Sequence, residues 1–345
     1  MNLPHVSVVM PTRNESAFIE RSLGAVLGQD YPVNKIEVFV VDGCSDDDTV
    51  SRVERLARDA PIPVSVVANP EGDIPHGLNR GLDVATGDVI IRVDGHCQVA
   101  PDYVRRCVVT LDATGAANVG GVQRAVGQTL VGRAIARAMS SRFGVGDARF
   151  HYATTPGSVD TVYLGAFRRE VFERVGAFDP DFARAEDSEF NFRLRRAGFT
   201  IWLDPAISVT YNVRSTFGAL AKQYFSYGYF KALMVRKHHR VQAWRQLVAP
   251  TFVLALAAGA FGALLTRRPS PFLAVAGPYA IASLAASVPS LRRDVTVAAL
   301  LPPTFGVMHL SWGTGFLWGV IDRRQRAPSK GDCGVDSDAA DEPVA

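Results

Sequence analysis

Val89-Ile90-Ile91-Arg92-Val93-Asp94-Gly95-His96 is a short β-branched run that stops at a carboxylate, a glycine and an imidazole. A run this short reads as a buried strand, with the polar triplet at its carboxyl end. The layout recurs upstream. Residues 6–10 end at Pro11 and pass into Thr12-Arg13-Asn14-Glu15, and residues 36–41 pass into Asp42-Gly43-Cys44-Ser45-Asp46-Asp47-Asp48. Residues 63–68 make a further strand. Between the strands lie stretches of helical spacing: 16–27 with Phe18, Ile19, Leu23 and Val26 on one face, 46–60 with Val50, Val53, Leu56 and Ala57, and about 75–85. Strand–helix alternation predicts an α/β fold, a mainly parallel sheet flanked by helices. Ligands bind such sheets at the carboxyl ends of the strands, which is where these polar clusters fall. No GxGxxG follows the first strand and there is no GxxxxGK[ST], so dinucleotide and P-loop readings are weak.

Over 345 residues, 48% apolar and 21% charged side chains exclude a disordered or collagen-like chain. A net charge of +3 lacks the dense basicity of a nucleic-acid binder, so no nucleic-acid partner is expected. Four cysteines without a CxxC pair exclude a disulfide scaffold and fit a reducing compartment. The opening MNLPHVSVVM has no basic stretch before its apolar run, so no signal peptide is expected.

Charge is not evenly spread. From Gln246 to Ile321 the charged residues are Arg267, Arg268, Arg292, Arg293 and Asp294, in two clusters. They divide the segment into runs 247–266, 270–291 and 295–321, each near or above the ~20 residues that span hydrocarbon as a helix. Two to four membrane segments are compatible with this pattern, because Pro302-Pro303 and the stretch from His309 to Gly315 allow a break or re-entrant turn in the third run. With the N-terminal part cytoplasmic, Arg292 and Arg293 fall inside, as the positive-inside rule asks. The organisation expected is a catalytic domain over 1–215, an interfacial amphipathic helix and linker over 216–245, a transmembrane region over 246–322 and a disordered tail over 323–345. The interfacial helix carries Phe217, Leu220, Tyr224 and Phe225 and runs into Arg236-Lys237-His238-His239-Arg240, which suits anionic head groups. The Arg-rich stretch within 127–160 reads as a surface loop, or as one that meets phosphates.

Several side chains can carry chemistry. Asp94 and His96, two apart at a strand end with Gly95 permitting a tight bend, can face one cation. In the acidic loop, Ser45 or Asp46 can cap the following helix, while Asp42 at the strand tip can accept a hydrogen bond from a nucleobase. Glu186-Asp187 opens a helix closed by Gly198; the pair can simply favour the helix N-terminus, or it can supply a general base.

Taken in order, Pro11-Thr12-Arg13-Asn14-Glu15, Val41-Asp42 with Ser45, Asp47 and Thr49, then Asn69, Gly72, Asn79 and Gly81, Gly87-Asp88 through His96, Gly165-Ala166-Phe167-Arg168-Arg169-Glu170, Val175 through Asp179, and Glu186-Asp187 resemble the inverting glycosyltransferases of family 2, which have the GT-A fold. The resemblance covers about 4–240 and is nearest the bacterial, membrane-anchored branch related to succinoglycan β-glucosyltransferases. It implies transfer of a sugar from a nucleoside-diphosphate donor, most often a UDP-sugar, to a hydroxyl of a lipid-linked or polysaccharide acceptor. By resemblance, Asp42 would contact the base, Pro11, Arg13 and Glu15 would frame the nucleoside pocket, and Asn79 would lie on the donor side. Asp94 and His96 would hold Mn²⁺ or Mg²⁺ against the diphosphate, and Asp187 would be the general base. It also implies a multi-pass protein of the bacterial cell membrane with a cytoplasmic catalytic domain.

The chain departs from the family pattern at Gly43, at Leu78 and at His96, where an aspartate, an arginine and a second aspartate are usual. It also lacks the QxxRW of processive synthases, which points to one sugar per encounter. These departures keep a rival open, a catalytically silent membrane scaffold of a polysaccharide assembly complex.

Overall fold

The computed structural model describes residues 3–322; the expected tail over 323–345 lies outside them. The strand–helix alternation is realised as β1 (Val6–Thr12), α1 (Ile19–Leu27), β2 (Ile36–Asp42), α2 (Thr49–Arg58), β3 (Val64–Ala68), α3 (Ile74–Val84) and β4 (Val89–Arg92). Then follow β5 (Gln98–Val99), α4 (Tyr103–Thr114), β6 (Asn118–Val126), α5 (Leu130–Met139), α6 (Arg142–Val145), β7 (Gly157–Ser158) and β8 (Tyr163–Arg168). The chain continues through α7 (Glu170–Val175), α8 (Glu186–Arg196), β9 (Ile201–Asn212), α9 (Phe217–His238), α10 (Val248–Thr266), α11 (Ser270–Leu291) and α12 (Val295–Ile321).

The strands form one mixed sheet in the order β3-β2-β1-β4-β8-β6-β9-β5, with β7 on β9. β3, β2, β1 and β4 are parallel, and β8 joins β4 antiparallel. β1, β2 and β4 are apolar without alternation because both of their faces are covered, while β3 at the edge is partly exposed. Val6, Val8, Met10, Val38, Val40 and Ile91 pack into one core layer, while Val9, Phe39, Val41 and Ile90 pack on the other side with Leu78, Phe167, Phe178 and Phe190. Leu78, at a position where an arginine is usual, is thus a core residue, 2% exposed. β6 and β9 approach so closely that a Cβ on Gly121 would lie 1.8 Å from the Ile207 carbonyl oxygen.

The chain divides into two compact units. One holds most of the sheet, through Arg124 and again over Ala153–Tyr211; the other takes Ala125–Tyr152 together with residues 212–322. The stretch read as a surface loop is therefore largely helical. Thr129 caps α5 by accepting from the Gly132 N–H at 2.9 Å, and Ala134, Ile135, Ala138 and Met139 are buried. Its apolar face packs on α12. Arg133 pairs with Asp294 at 3.6 Å, and Arg137 donates to Ser290 Oγ at 3.0 Å, so both are engaged at the turn between α11 and α12.

Within the second unit α10, α11 and α12 are long and apolar enough to cross a membrane, with mean hydropathy of 2.0, 1.5 and 1.2. Large side chains of α10 and α11 face outward, Leu264 75% exposed and Ile281 69%, whereas α12 buries Leu301, Phe305 and Met308. The third run is one continuous helix through Pro302 and Pro303; the break allowed by its composition is not formed. His309 in its middle meets Tyr279 Oη at 2.9 Å and the Gly144 carbonyl at 3.3 Å, which satisfies a polar group in an apolar setting. α9 extends from Phe217 to His238 and lies against α12, where a Cβ on Gly228 would come within 2.0 Å of the Trp312 carbonyl oxygen.

Candidate active site

Three loops meet beyond the carboxyl ends of β1, β2 and β3, and their polar residues hold one another. Asn14 takes a left-handed backbone, φ 53°, tolerated by Asn because its short side chain bonds locally. Its N–H donates to Ser45 Oγ at 2.9 Å, and its side-chain oxygen accepts from the Asp46 N–H at 3.0 Å. The Glu15 N–H donates to Thr49 Oγ1 at 2.8 Å and the Ser16 N–H to Asp47 at 3.1 Å. The expectation that Ser45 or Asp46 caps α2 is corrected. Asp47 accepts from the Thr49 N–H at 2.9 Å, while Ser45 turns back to Asp42 and Asn14. Burial pushes the Asp47 carboxyl up, but hydrogen bonds from Thr49 and Ser16 outweigh it and hold it below the usual range.

Asp42 stands at the tip of β2 with both carboxylate oxygens engaged by Ser45, at 3.0 Å from its N–H and 2.6 Å from its hydroxyl. Pro11 is the penultimate residue of β1, paired with Val41. Arg13 reaches the Gly72 carbonyl at 3.4 Å. Gly72 has φ 74°, and a Cβ on Gly43 would sit 3.1 Å from its carbonyl oxygen, so the glycine at 43 lets the third loop approach closely where a side chain would crowd it. Asn79 lies apart from these loops: its Nδ2 donates to the Phe178 carbonyl at 2.8 Å and its Oδ1 accepts from the Phe178 N–H at 2.9 Å.

At the end of β4, Asp94, His96 and Cys97 place their ligand atoms within 4.8 Å of one another. Gly95 has no room for a side chain: a Cβ would be 2.9 Å from Thr12 Cγ2 and 3.1 Å from Glu15 Cγ. Cys97 lies 2.8 Å from the Tyr163 hydroxyl, and burial pushes its thiol far up, so it stays protonated and is a poor ligand. Asp94 and His96 remain, an oxygen and a nitrogen donor that fit a dication such as Mn²⁺ or Mg²⁺. His96 Nδ1 is 3.0 Å from Glu15 Oε1, a carboxylate that orients the imidazole. Glu15, expected beside the nucleoside, thus has a second contact.

Arg92 connects this corner to α8. It is 7% exposed; its Nε donates to Asp94 at 2.7 Å and its Nη1 to Glu186 at 2.5 Å. Burial alone would lower the guanidinium's proton affinity, but Asp94, Glu186 and Asp187 reverse this and hold it charged. Burial lifts the Glu186 carboxyl above the carboxylate range; Arg92 opposes the rise and Asp187 adds to it. Ala185 before them takes φ 66°, an uncommon conformation for alanine that turns the chain into α8. Asp187 is half-buried, next to Glu186, and accepts from the Ser188 N–H at 2.6 Å. One guanidinium therefore joins the candidate cation ligand Asp94 to Glu186, the neighbour of the candidate base Asp187. Arg92 escaped the sequence reading, although a lone charge inside an apolar strand was the signal for it: a buried charge needs partners.

The sheet, with polar loops gathered at its carboxyl ends, is of the GT-A type, and the chain belongs to glycosyl transferase family 2, whose pattern it matches over residues 7–176, which makes it a transferase. It is 32% identical over 322 residues to the succinoglycan biosynthesis protein ExoA of Rhizobium meliloti, covering 92% of this chain and 96% of that one. It is 28% identical to a dolichyl N-acetyl-α-D-glucosaminyl phosphate 3-β-D-2,3-diacetamido-2,3-dideoxy-β-D-glucuronosyltransferase of Methanococcus voltae, over 69% of this chain and 76% of the relative. In structure it is similar to the mannosyltransferase PcManGT of Pyrobaculum calidifontis, solved with GDP-Man and Mn²⁺. The TM-score is 0.61 at 22% identity, over 94% of this chain and 89% of that one. This last likeness shows the fold.

Proposed function

We propose that the chain is a metal-dependent, inverting glycosyltransferase that moves a sugar from a nucleoside-diphosphate donor, a UDP-sugar foremost, to a hydroxyl of a lipid-linked or polysaccharide acceptor. The observation that most supports this is the Asp94–Arg92–Glu186 bridge, which ties the candidate cation ligand Asp94 to the start of the helix that carries the candidate base. In this reading Pro11, Arg13 and Asp42 frame the nucleoside, with Ser45 fixing the Asp42 carboxylate in one orientation. Asn79 serves the donor side by clamping the Phe178 turn. Asp94 and His96 would hold Mn²⁺ or Mg²⁺, with Glu15 behind the imidazole; such an ion neutralises the charge that develops on a departing diphosphate.

Asp187 accepts the proton of the acceptor hydroxyl as its oxygen attacks C1 from the face opposite the diphosphate. The new C1–O bond forms while the bond from C1 to the phosphate oxygen breaks, which inverts the anomeric centre. α10, α11 and α12 would keep the enzyme in the cell membrane, catalytic unit cytoplasmic, where a lipid-linked acceptor is at hand. Purified full-length protein incubated with UDP- and GDP-sugars, with Mn²⁺, Mg²⁺ or a chelator, tests this, with product anomers read by NMR. Asp187→Asn should lower kcat by about 10²–10⁴-fold at nearly unchanged donor KM. Equal turnover by the variant would remove Asp187 from the reaction, and retained product anomers would exclude inversion.

A further inference from the structure

We infer that Arg92 is a positioning residue of this site: its guanidinium occupies one oxygen of Asp94 and, through Glu186, fixes the base-bearing end of α8, so that Asp187 is the carboxylate left to take the acceptor's proton. This rests on the function proposed above. β4 is otherwise apolar, and Arg92 is its last residue, buried with the Asp94 and Glu186 side chains 14% and 5% exposed. Stability alone does not demand such a bridge, because well-packed apolar residues hold a strand to a helix at least as well as a buried ion pair. What an apolar pair cannot do is set two carboxylates at fixed angles.

The guanidinium can, because it donates from two edges of one rigid plane, Nε toward Asp94 and Nη1 toward Glu186. Two consequences follow. The oxygen of Asp94 not bound by Arg92 becomes the one offered to a cation, which fixes the direction of that ligand. The adjacent acids Glu186 and Asp187 are also sorted. Glu186 is committed to Arg92 in the interior, whereas Asp187 is half-buried and bonded to the neighbouring Ser188 N–H. The left-handed turn at Ala185 directs the start of α8, so a lost anchor at Glu186 would free both acids together.

The test compares full-length native protein with Arg92→Lys and with the double variant Arg92→Met/Glu186→Met, which removes both ends of one ion pair. Mn²⁺ binding in the presence of UDP is read from the electron paramagnetic resonance of free Mn²⁺. Rates are normalised to the folded fraction from thermal melts. Both variants should bind Mn²⁺ roughly 10-fold or more weakly and lose about 10- to 100-fold in kcat, the range for residues that orient metal ligands. Donor KM at saturating Mn²⁺ should move by no more than about 3-fold, since the lost contacts serve orientation rather than donor binding. Native Mn²⁺ affinity and native kcat in the folded fraction of either variant would overturn the inference, whatever the melting temperature. Should the native protein itself bind no UDP with Mn²⁺, the proposed function falls and takes this inference with it; should only the variants match the native protein, this inference alone falls.

Discussion

Replacing Asn79 with alanine separates two roles that the family resemblance and the structure assign to it differently. A direct donor contact would cost donor affinity and little stability. In the structure both ends of the amide are bonded to the Phe178 peptide, so the cost should fall on folding. Asn79→Ala deletes two hydrogen bonds and leaves the Phe178 N–H and carbonyl without partners. At about 1–2 kcal/mol for each deserted group, the loss is about 2–4 kcal/mol. Phe178 is 4% exposed and its ring packs among Phe167, Phe172 and Phe190, which keeps water from replacing the amide cheaply. At roughly 3 °C per kcal/mol for a unit of this size, the melting temperature should drop by about 6–12 °C. Scanning fluorimetry of the detergent-solubilised protein measures this, and a UDP-release assay below the transition measures donor KM. An unchanged melting temperature with a donor KM raised tenfold or more would refute the clamp and return Asn79 to the donor.

Two further predictions concern stability. Because the folded Asp47 carboxyl titrates below its unfolded value, the stability it contributes is complete above about pH 4–5 and is lost as pH falls through the lower folded value. Asp47→Asn should therefore lower the melting temperature at pH 7 and converge with the native protein toward pH 3; a gap that widened on acidification would contradict the sign. Gly228→Ala would drive a Cβ into the Trp312 carbonyl and push α9 from α12, with a cost of about 1–3 kcal/mol by overpacking. The observable is earlier thermal unfolding of the helical unit, and unaltered melting would show that the two helices can part freely.

The parallel half of the sheet is legible in the sequence because β1, β2 and β4 are covered on both faces and so read as unbroken apolar runs. The three membrane-length helices are legible for a similar reason, with Arg267-Arg268 and Arg292-Arg293-Asp294 marking their ends. α5 was hidden because Arg133 and Arg137 interrupt its apolar period, and their partners Asp294 and Ser290 lie some 150 residues further on. Local spacing carries no trace of that pairing. The continuity of α12 through two prolines was likewise unreadable, since neighbours from other helices decide whether a proline ends or only interrupts a helix in an apolar setting. At the site, the residue types of the candidate ligands and base could be read from chain order. Their mutual arrangement could not, because it runs through Arg92, whose partners are 2 and 94 positions away.

The excursion of Ala125–Tyr152 into the helical unit means that the polypeptide passes from one unit to the other and back before it crosses again after Tyr211. No single cut can free the transferase module. A fragment ending ahead of α10 would keep α5 but lose α12, the helix it packs on. The chain is threaded between its two units more than once, so extraction of the entire chain, rather than trimming, is the route to an active preparation.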